Sequence, residues 1–266
     1  MIKLGIDLGI TATKIAAIEG TEVAFTEILQ GEITPGMVEE LVRNHGFSAS
    51  DVEQVQITGV GQDQMNFTIC GCKPVCVHEF KANMCGAKFF CNLERFIIVS
   101  MGTGTSFVKV EGNEYQHLGG SAMGGGTLAG LSRMIFHGED PTYICSLAEK
   151  GDLGNIDLHL DEVAPVDPAF PLRITASNLR KGDHNTQTED AALGLLNLVV
   201  QNIGVMAHFA GLGFGIRDFV FIGRVTQIPQ CTQLMEQVST LFHCNFIFPE
   251  LASFGTAIGA ALAKSE

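Results

Sequence analysis

Two α/β lobes facing each other across a cleft are what this chain predicts, and three observations carry the expectation. The first two are glycine turns set between apolar, β-prone runs. Asp7-Leu8-Gly9-Ile10-Thr11-Ala12-Thr13-Lys14 lies between runs 2–6 and 15–18, and Ser100-Met101-Gly102-Thr103-Gly104-Thr105-Ser106 between 96–99 and 107–110. The third is that each turn opens its own alternation of strands and helices. Glycine lets the main chain approach a ligand closely, and the amides and hydroxyls of such a turn suit phosphate. Two of them, one per half, predict a nucleotide gripped between two lobes.

The first lobe, residues 1–95, reads β-β-β-α-β-β-α. Strands are expected at 2–7, 13–19 and 22–28. Thr34 as N-cap, with Pro35 at the first helical position, starts a helix that Gly46 ends. Short strands follow at 54–58 and 74–78, and a helix over about 79–92 closes the lobe. The second lobe, 96–266, restarts with strands at 96–100, 105–110 and 114–118. Next comes Gly119-Gly120-Ser121-Ala122-Met123-Gly124-Gly125-Gly126-Thr127, running into a helix over 128–136. Glycines there put free amides at a helix N-terminus, where an anion sits well. A flexible loop that only reverses the chain is the competing reading. Residues 151–185, with Pro165, Pro168 and Pro171, are the least regular and are expected to wrap the surface or reach the acceptor side of the cleft. Thr186-Gln187-Thr188-Glu189 reads as a capping box for the apolar helix 191–212. A buried strand at 219–222 ends in the Gly223 turn. A helix at 229–242, a strand at 244–248 and a helix at 254–263 complete the layer.

Composition narrows the class. A chain of 266 residues, 46% hydrophobic with mean hydropathy +0.25, can bury a sizeable core. The formal net charge of −13, without a basic block, makes nucleic acid and anionic membrane poor partners. Asn197, Gln201, Asn202 and His208 within 191–212 argue for a buried helix rather than a membrane span. Met1-Ile2-Lys3 runs directly into a strand, so no secretory signal is expected. Eight cysteines then suggest free thiols in a reducing, cytoplasmic setting. Cys70, Cys72 and Cys76 follow C-x-C-x3-C, which is not the paired spacing of a structural zinc site. They read as thiols around a loop and strand rather than as a metal or redox centre.

Asp7 ends the first strand beside a phosphate-type turn. A carboxylate there serves Mg2+, usually through water, or else caps its own turn. Lys14 can neutralise a transferring phosphoryl group, or can be a solvated strand residue. Such parts suit phosphoryl transfer, in which catalysis is mainly positioning and charge stabilisation. A hydroxyl acceptor also needs a base. Glu79, where a short strand turns into a helix in His78-Glu79-Phe80-Lys81-Ala82, is the candidate. Ordinary first-turn helix acidity explains it equally well, and spacing alone does not choose.

Asp7-x-Gly9-x-Thr11-x-x-Lys14, Met101 to Ser106 and Gly119-Gly120-x3-Gly124-Gly125-Gly126-Thr127 together resemble type II pantothenate kinases. These form the eukaryotic-like and staphylococcal branch of the actin, sugar-kinase and heat-shock-ATPase superfamily. Glu79-Phe80-x-Ala82, Gly151-Asp152, Ile156-Asp157-Leu158, Thr175-Ala176-Ser177-Asn178 and Phe254 to Ala260 fit as well, in order, over essentially the whole chain. The resemblance implies ribonuclease-H-like, actin-like lobes and a homodimer that phosphorylates pantothenate with Mg-ATP, the first step towards coenzyme A. An acyl-CoA is the implied candidate regulator. By the same resemblance Glu79 is the catalytic base. Asp7, Gly9, Thr11, Thr13, Lys14, Thr103, Gly104, Gly124, Gly125, Gly126 and Gly223 meet the nucleotide, and His117 and Gly120 meet the acceptor.

Three positions depart from the family pattern. Ile10 stands where a second glycine is usual. His117 stands where an arginine helps hold substrate near the glutamate, and Arg224 where a small serine lies beside the adenine. Two other readings therefore accompany the first. One is a kinase of the same fold acting on another acceptor, such as an amino sugar. The other is an ATPase that phosphorylates no metabolite, either a coenzyme A sensor or the activator of a radical dehydratase. An activator would need an iron–sulfur cluster, for which Cys70, Cys72 and Cys76 are the only conceivable source.

Overall fold

Antiparallel hairpins open both halves of the chain, because each glycine turn folds one strand back on the next. The computed structural model describes residues 1–61, 67–138, 141–165 and 174–264. Pro168 and Pro171 lie outside them. In the first half β1 (Ile2–Leu8), β2 (Thr13–Glu19) and β3 (Glu22–Leu29) form an antiparallel meander. The helix α1 (Pro35–Asn44) then carries the chain to β4 (Val52–Gly59), parallel to β1, and β5 (Val75–Cys76) extends the edge. Thr34 Oγ1 accepts the Met37 amide at 3.4 Å, and Gly46 leaves the helix at φ 84°. The strand expected over 74–78 shortens to Val75–Cys76.

After α2 (Glu79–Phe90) the layout repeats. β6 (Arg95–Met101), β7 (Thr105–Glu111) and β8 (Glu114–Ser121) make the second meander. The chain continues through α3 (Gly125–Phe136), α4 (Pro141–Ala148), α5 (Leu153–Ile156), β9 (Leu158–His159), β10 (Thr175–Ser177) and α6 (Thr188–Leu212). β11 (Asp218–Ile222), α7 (Pro229–Phe242), β12 (Asn245–Ile247) and α8 (Gly255–Leu262) follow. β11 lies parallel to β6 and to β12, so the strand order β12-β11-β6-β7-β8 mirrors β5-β4-β1-β2-β3. The two-lobed α/β expectation holds. The capping box at Thr186 does not form: α6 begins at Thr188 without a side-chain cap, and Thr186 Oγ1 instead accepts the Asp183 amide at 2.8 Å.

Each sheet has its own core. Leu4, Ile6, Ile15 and Ile57 pack with Val38 and Val42 of α1 in the first lobe. Ile97, Val99, Phe219 and Phe221 pack with Leu196, Val200 and Ile203 of α6 in the second. By length and composition α6 could cross a membrane, yet about half of it is buried here. Its Asn197 donates to buried Asp157 at 2.8 Å, which ties the irregular 151–185 stretch to the lobe.

The two helices at the centre are exchanged between lobes. α2 belongs to the first half by sequence, but Met84 and Ala87 pack with Phe96, Ile98 and Val220 of the second sheet. α8 ends the chain, yet Ala257, Ile258 and Ala261 pack on Ala16 and Ile18 of the first sheet. Where the two helices cross, backbone meets backbone. A Cβ on Gly86 would collide with the Gly255 carbonyl, and one on Gly259 with the Ala82 carbonyl. Thr256 Oγ1 donates to Asn83 Oδ1 at 2.8 Å across the same contact. Glu79, one helical turn before Asn83, is thereby held in a fixed place between the lobes.

Candidate active-site cleft

Between the sheets lies a cavity of about 660 Å³. Its polar end is built by the first hairpin. The β1–β2 register places Asp7 directly opposite Lys14, and Lys14 Nζ meets Asp7 Oδ2 at 3.1 Å, both side chains nearly buried. Side chains alternate along a strand, so Lys14 pointing into the cleft turns its neighbour Thr13 away. Thr13 is buried and absent from the cavity wall. Gly9, Thr11 and Ile10 line the turn, with Ile10 exposed in the cleft mouth.

The second wall is the 102–106 turn with the start of α3. Thr103, Gly104, Gly125, Gly126 and Gly120 line it. The helix start differs from expectation in one respect: its leading amides are not free. Gly125 N donates to Gly102 O at 2.8 Å and Gly126 N to Thr103 O at 2.9 Å. The glycines lock the two turns together instead of offering those donors to an anion. Gly124 sits behind the wall, where a Cβ would crowd the Thr103 and Gly102 carbonyls. Gly223, at φ 100°, passes so close to the Met101 carbonyl that only glycine fits, and it too lines the cavity.

Glu79 enters from the N-terminus of α2, its backbone fixed by His78, whose Nδ1 accepts the Phe80 amide at 3.3 Å. Its carboxyl is held above the usual range, first by partial burial between the lobes and then by the negative charge of Asp7; His78 and Lys14 pull the other way. The side chain is nonetheless open to the cleft. A carboxylate that retains its proton more readily than usual, beside an Asp–Lys pair, suits a general base. His117 is not on the wall. It lies exposed on β8 with its ring stacked on Phe80 at 4.3 Å and 18°, one residue from Glu79.

Thr256, Thr142, Cys145, Leu128, Ala129, Arg224 and Ile228 also line the cavity. Thr256 falls within the Phe254 to Ala260 stretch but carries no local signal of its own, and α4, with Thr142 and Cys145, carries none. The tight cysteine group does not converge. Cys70 is buried in the first lobe's core, its thiol pushed up to about 11 mainly by burial. Cys72 Sγ donates to Val52 O, and Cys76 is exposed.

Hard oxygen donors are what Mg2+ takes, mostly through its own waters. Asp7, with one oxygen on Lys14, and the hydroxyls of Thr11 and Thr103 on the same walls fit such an ion.

The Asp7–Lys14 pair has a testable consequence. Asp7→Asn removes the partner of a nearly buried ammonium, so stability is lost along with turnover. A double-mutant cycle with Lys14→Met is expected to give a coupling of about 0.5–3 kcal/mol in denaturant unfolding. Additive single-variant effects would show that the pair does not hold the hairpin.

Comparison with known proteins agrees with this arrangement. A type II pantothenate kinase of Bacillus cereus is 27% identical over 235 residues, covering 83% of this chain and 82% of that protein. One of Staphylococcus epidermidis is 26% identical over 274 residues, covering 97% and 99%. Among solved structures, the activator of the 2-hydroxyisocaproyl-CoA dehydratase from Clostridium difficile, with bound ADPNP, superposes with a TM-score of 0.69. It is 20% identical and is covered over 93% of its length, with 98% of this chain, so it shares the actin-like fold. A profile of the Fumble family matches residues 53–263, well over half of the sequence and including Glu79, the second glycine turn and the terminal helix. The chain belongs to the Fumble (type II pantothenate kinase) family.

Proposed function

We propose that this protein transfers the γ-phosphoryl group of ATP to the hydroxyl of pantothenate, the first step of coenzyme A biosynthesis. The observation that carries the reading is Glu79 opening onto the same cavity as the Asp7–Lys14 pair, in a chain collinear with type II pantothenate kinases. The Glu79 carboxylate accepts the proton of the acceptor hydroxyl as its oxygen bonds to phosphorus. Lys14 offsets negative charge on the transferring group, and ADP leaves with the bridging oxygen. Asp7, with help from Thr11 and Thr103, would hold Mg2+, which would neutralise charge on the phosphates when bound.

An ADP-release assay against pantothenate, pantetheine and a panel of sugars tests the assignment. Pantothenate-dependent release is expected. Release with a sugar alone would make this a kinase with another acceptor, and release without any acceptor would make it an ATPase.

The finer parts of the proposal are a cytoplasmic homodimer under acyl-CoA control. Eight free thiols suit a reducing compartment. Exposed Phe209, Leu212 and Phe214 near the end of α6 supply an apolar patch for a second copy. An apolar groove of about 390 Å³, lined by Phe107, Leu118, Met206, Ala210 and Phe214, shares Gly120 with the cleft wall and suits an acyl chain.

His117, off the cavity wall but stacked on Phe80 next to Glu79, is the residue proposed to reach the acceptor. An arginine in its place reaches farther and is always charged. Charge-assisted hydrogen bonds are roughly twice as strong as neutral ones. His117→Arg is therefore expected to lower KM for pantothenate by about 5- to 10-fold at neutral pH, the worth of roughly 1 kcal/mol. An unchanged KM would place residue 117 outside the acceptor contact.

A further inference from the structure

We propose that Asn83 is a positioning residue for the general base: its side-chain amide donates a hydrogen bond to the ionised Glu79 carboxylate and aims it at the acceptor hydroxyl. This rests on reading Glu79 as the base of a kinase. Asn83 follows Glu79 by four residues on α2, which puts the two side chains on one helix face. Helical side chains lean towards the N-terminus of their own helix, so Asn83 leans over the turn that carries Glu79. A carboxylate and an amide at this spacing can bond across one turn.

Asn83 is fully buried among Ala82, Met84 and Ala87, where an apolar side chain would be the ordinary choice. The two ends of its amide differ. Oδ1 accepts the Thr256 hydroxyl of α8 at 2.8 Å, at the crossing where backbone meets backbone. That bond fixes which way the amide lies. Nδ2 is buried and meets no hydrogen-bond partner among the described residues. Gln56 Oε1 and Thr58 Oγ1 of β4 are buried and without partners too, so neither takes this donor.

A buried donor without a partner is unfavourable, and a charged acceptor within reach offsets that cost best. Glu79 is the only carboxylate on α2. Burial and the charge of Asp7 hold its proton on, while His78 and Lys14 favour the ionised form. The Asn83 amide adds a neutral donor on the same side as those two cations. Anchored on Thr256, it gives the carboxylate a direction as well as a partner.

The test titrates Glu79 directly, by carboxyl NMR of glutamate-labelled protein, its signal being the one lost in Glu79→Gln. Asn83→Ala removes the donor, so Glu79 is expected to titrate about one pH unit higher than in wild type. The acid limb of kcat for pantothenate should move up with it. On the plateau kcat should fall by about 10-fold, the worth of one hydrogen bond to a charge, with KM for ATP unchanged. Thr256→Val keeps the donor but frees the amide, and should shift the titration the same way by less. A residue that only braces the helix crossing would lower the melting temperature in both variants and leave the titration and the acid limb as in wild type. That result overturns the proposal. If Asn83→Ala does not fold, Thr256→Val decides: an upward shift supports the hydrogen bond and an unmoved titration overturns it. Wild-type protein without pantothenate-dependent turnover would overturn the kinase reading instead, and the Glu79 titration would still decide on Asn83.

Discussion

Glu79→Gln is expected to lower kcat for pantothenate phosphorylation by about 10²–10⁴-fold, the usual worth of a positioned general base. Glutamine keeps the length and hydrogen-bonding reach of the side chain but cannot take the proton. ATP affinity should therefore be retained, since Asp7, Lys14 and the glycine turns are untouched. The raised pKa of Glu79 adds a pH signature. The base works only when ionised, so wild-type kcat should fall with acid at a pH above that of an ordinary glutamate. Stability runs in the opposite sense. A carboxyl whose folded-state pKa is raised binds protons more tightly when folded, and stability declines as pH rises from the unfolded pKa through the folded one. Removing that carboxyl should leave the melting temperature at neutral pH unchanged or slightly higher. An inactive but fully stable glutamine variant thus separates chemistry from folding. A variant retaining near-wild-type kcat would move the base elsewhere.

Gly259→Val is expected to be among the most destabilising single substitutions in the chain. Most large-for-small changes in a packed core cost about 1–3 kcal/mol, because neighbouring side chains can shift. Here the obstacle is the Ala82 carbonyl and the Gly86 amide of α2, backbone held on both sides by its own helix. The cost should reach or exceed the top of that range, and α2 should separate from α8, carrying Glu79 with it. The contrast is Gly130→Ala in α3, where nothing lies within 4 Å of the added methyl. That change should stabilise by about 0.5–1 kcal/mol on helix propensity alone. Denaturant midpoints of the two variants, moving in opposite directions, test the close helix crossing. Equal small shifts would contradict it.

These particulars mark how far sequence reading reached. Both meanders were legible because apolar runs and glycine turns are local signals, and so was Glu79 at the start of α2. The crossing of α2 and α8 was not. Gly86 and Gly259 are distant in sequence, and inside a helix a glycine reads only as weak propensity. The same holds for the α3 amides. A glycine-rich helix start looks like an anion site until the Gly102 and Thr103 carbonyls are seen to occupy its donors. Thr186 fitted a capping box by spacing, and a turn three residues upstream claimed its hydroxyl. Thr13 was grouped with Lys14 by adjacency, although alternation along a strand sends neighbours to opposite faces. His117 drew notice through its departure from a family pattern. Its stacking on Phe80 depends on where β8 meets α2, which no local pattern encodes.

The purified protein, supplied with Mg-ATP and pantothenate, is expected to form 4′-phosphopantothenate and ADP in a one-to-one ratio, read by mass spectrometry of both products. ADP formed without phosphopantothenate, or phosphate transferred only to a different acceptor, would contradict pantothenate kinase activity in this cleft.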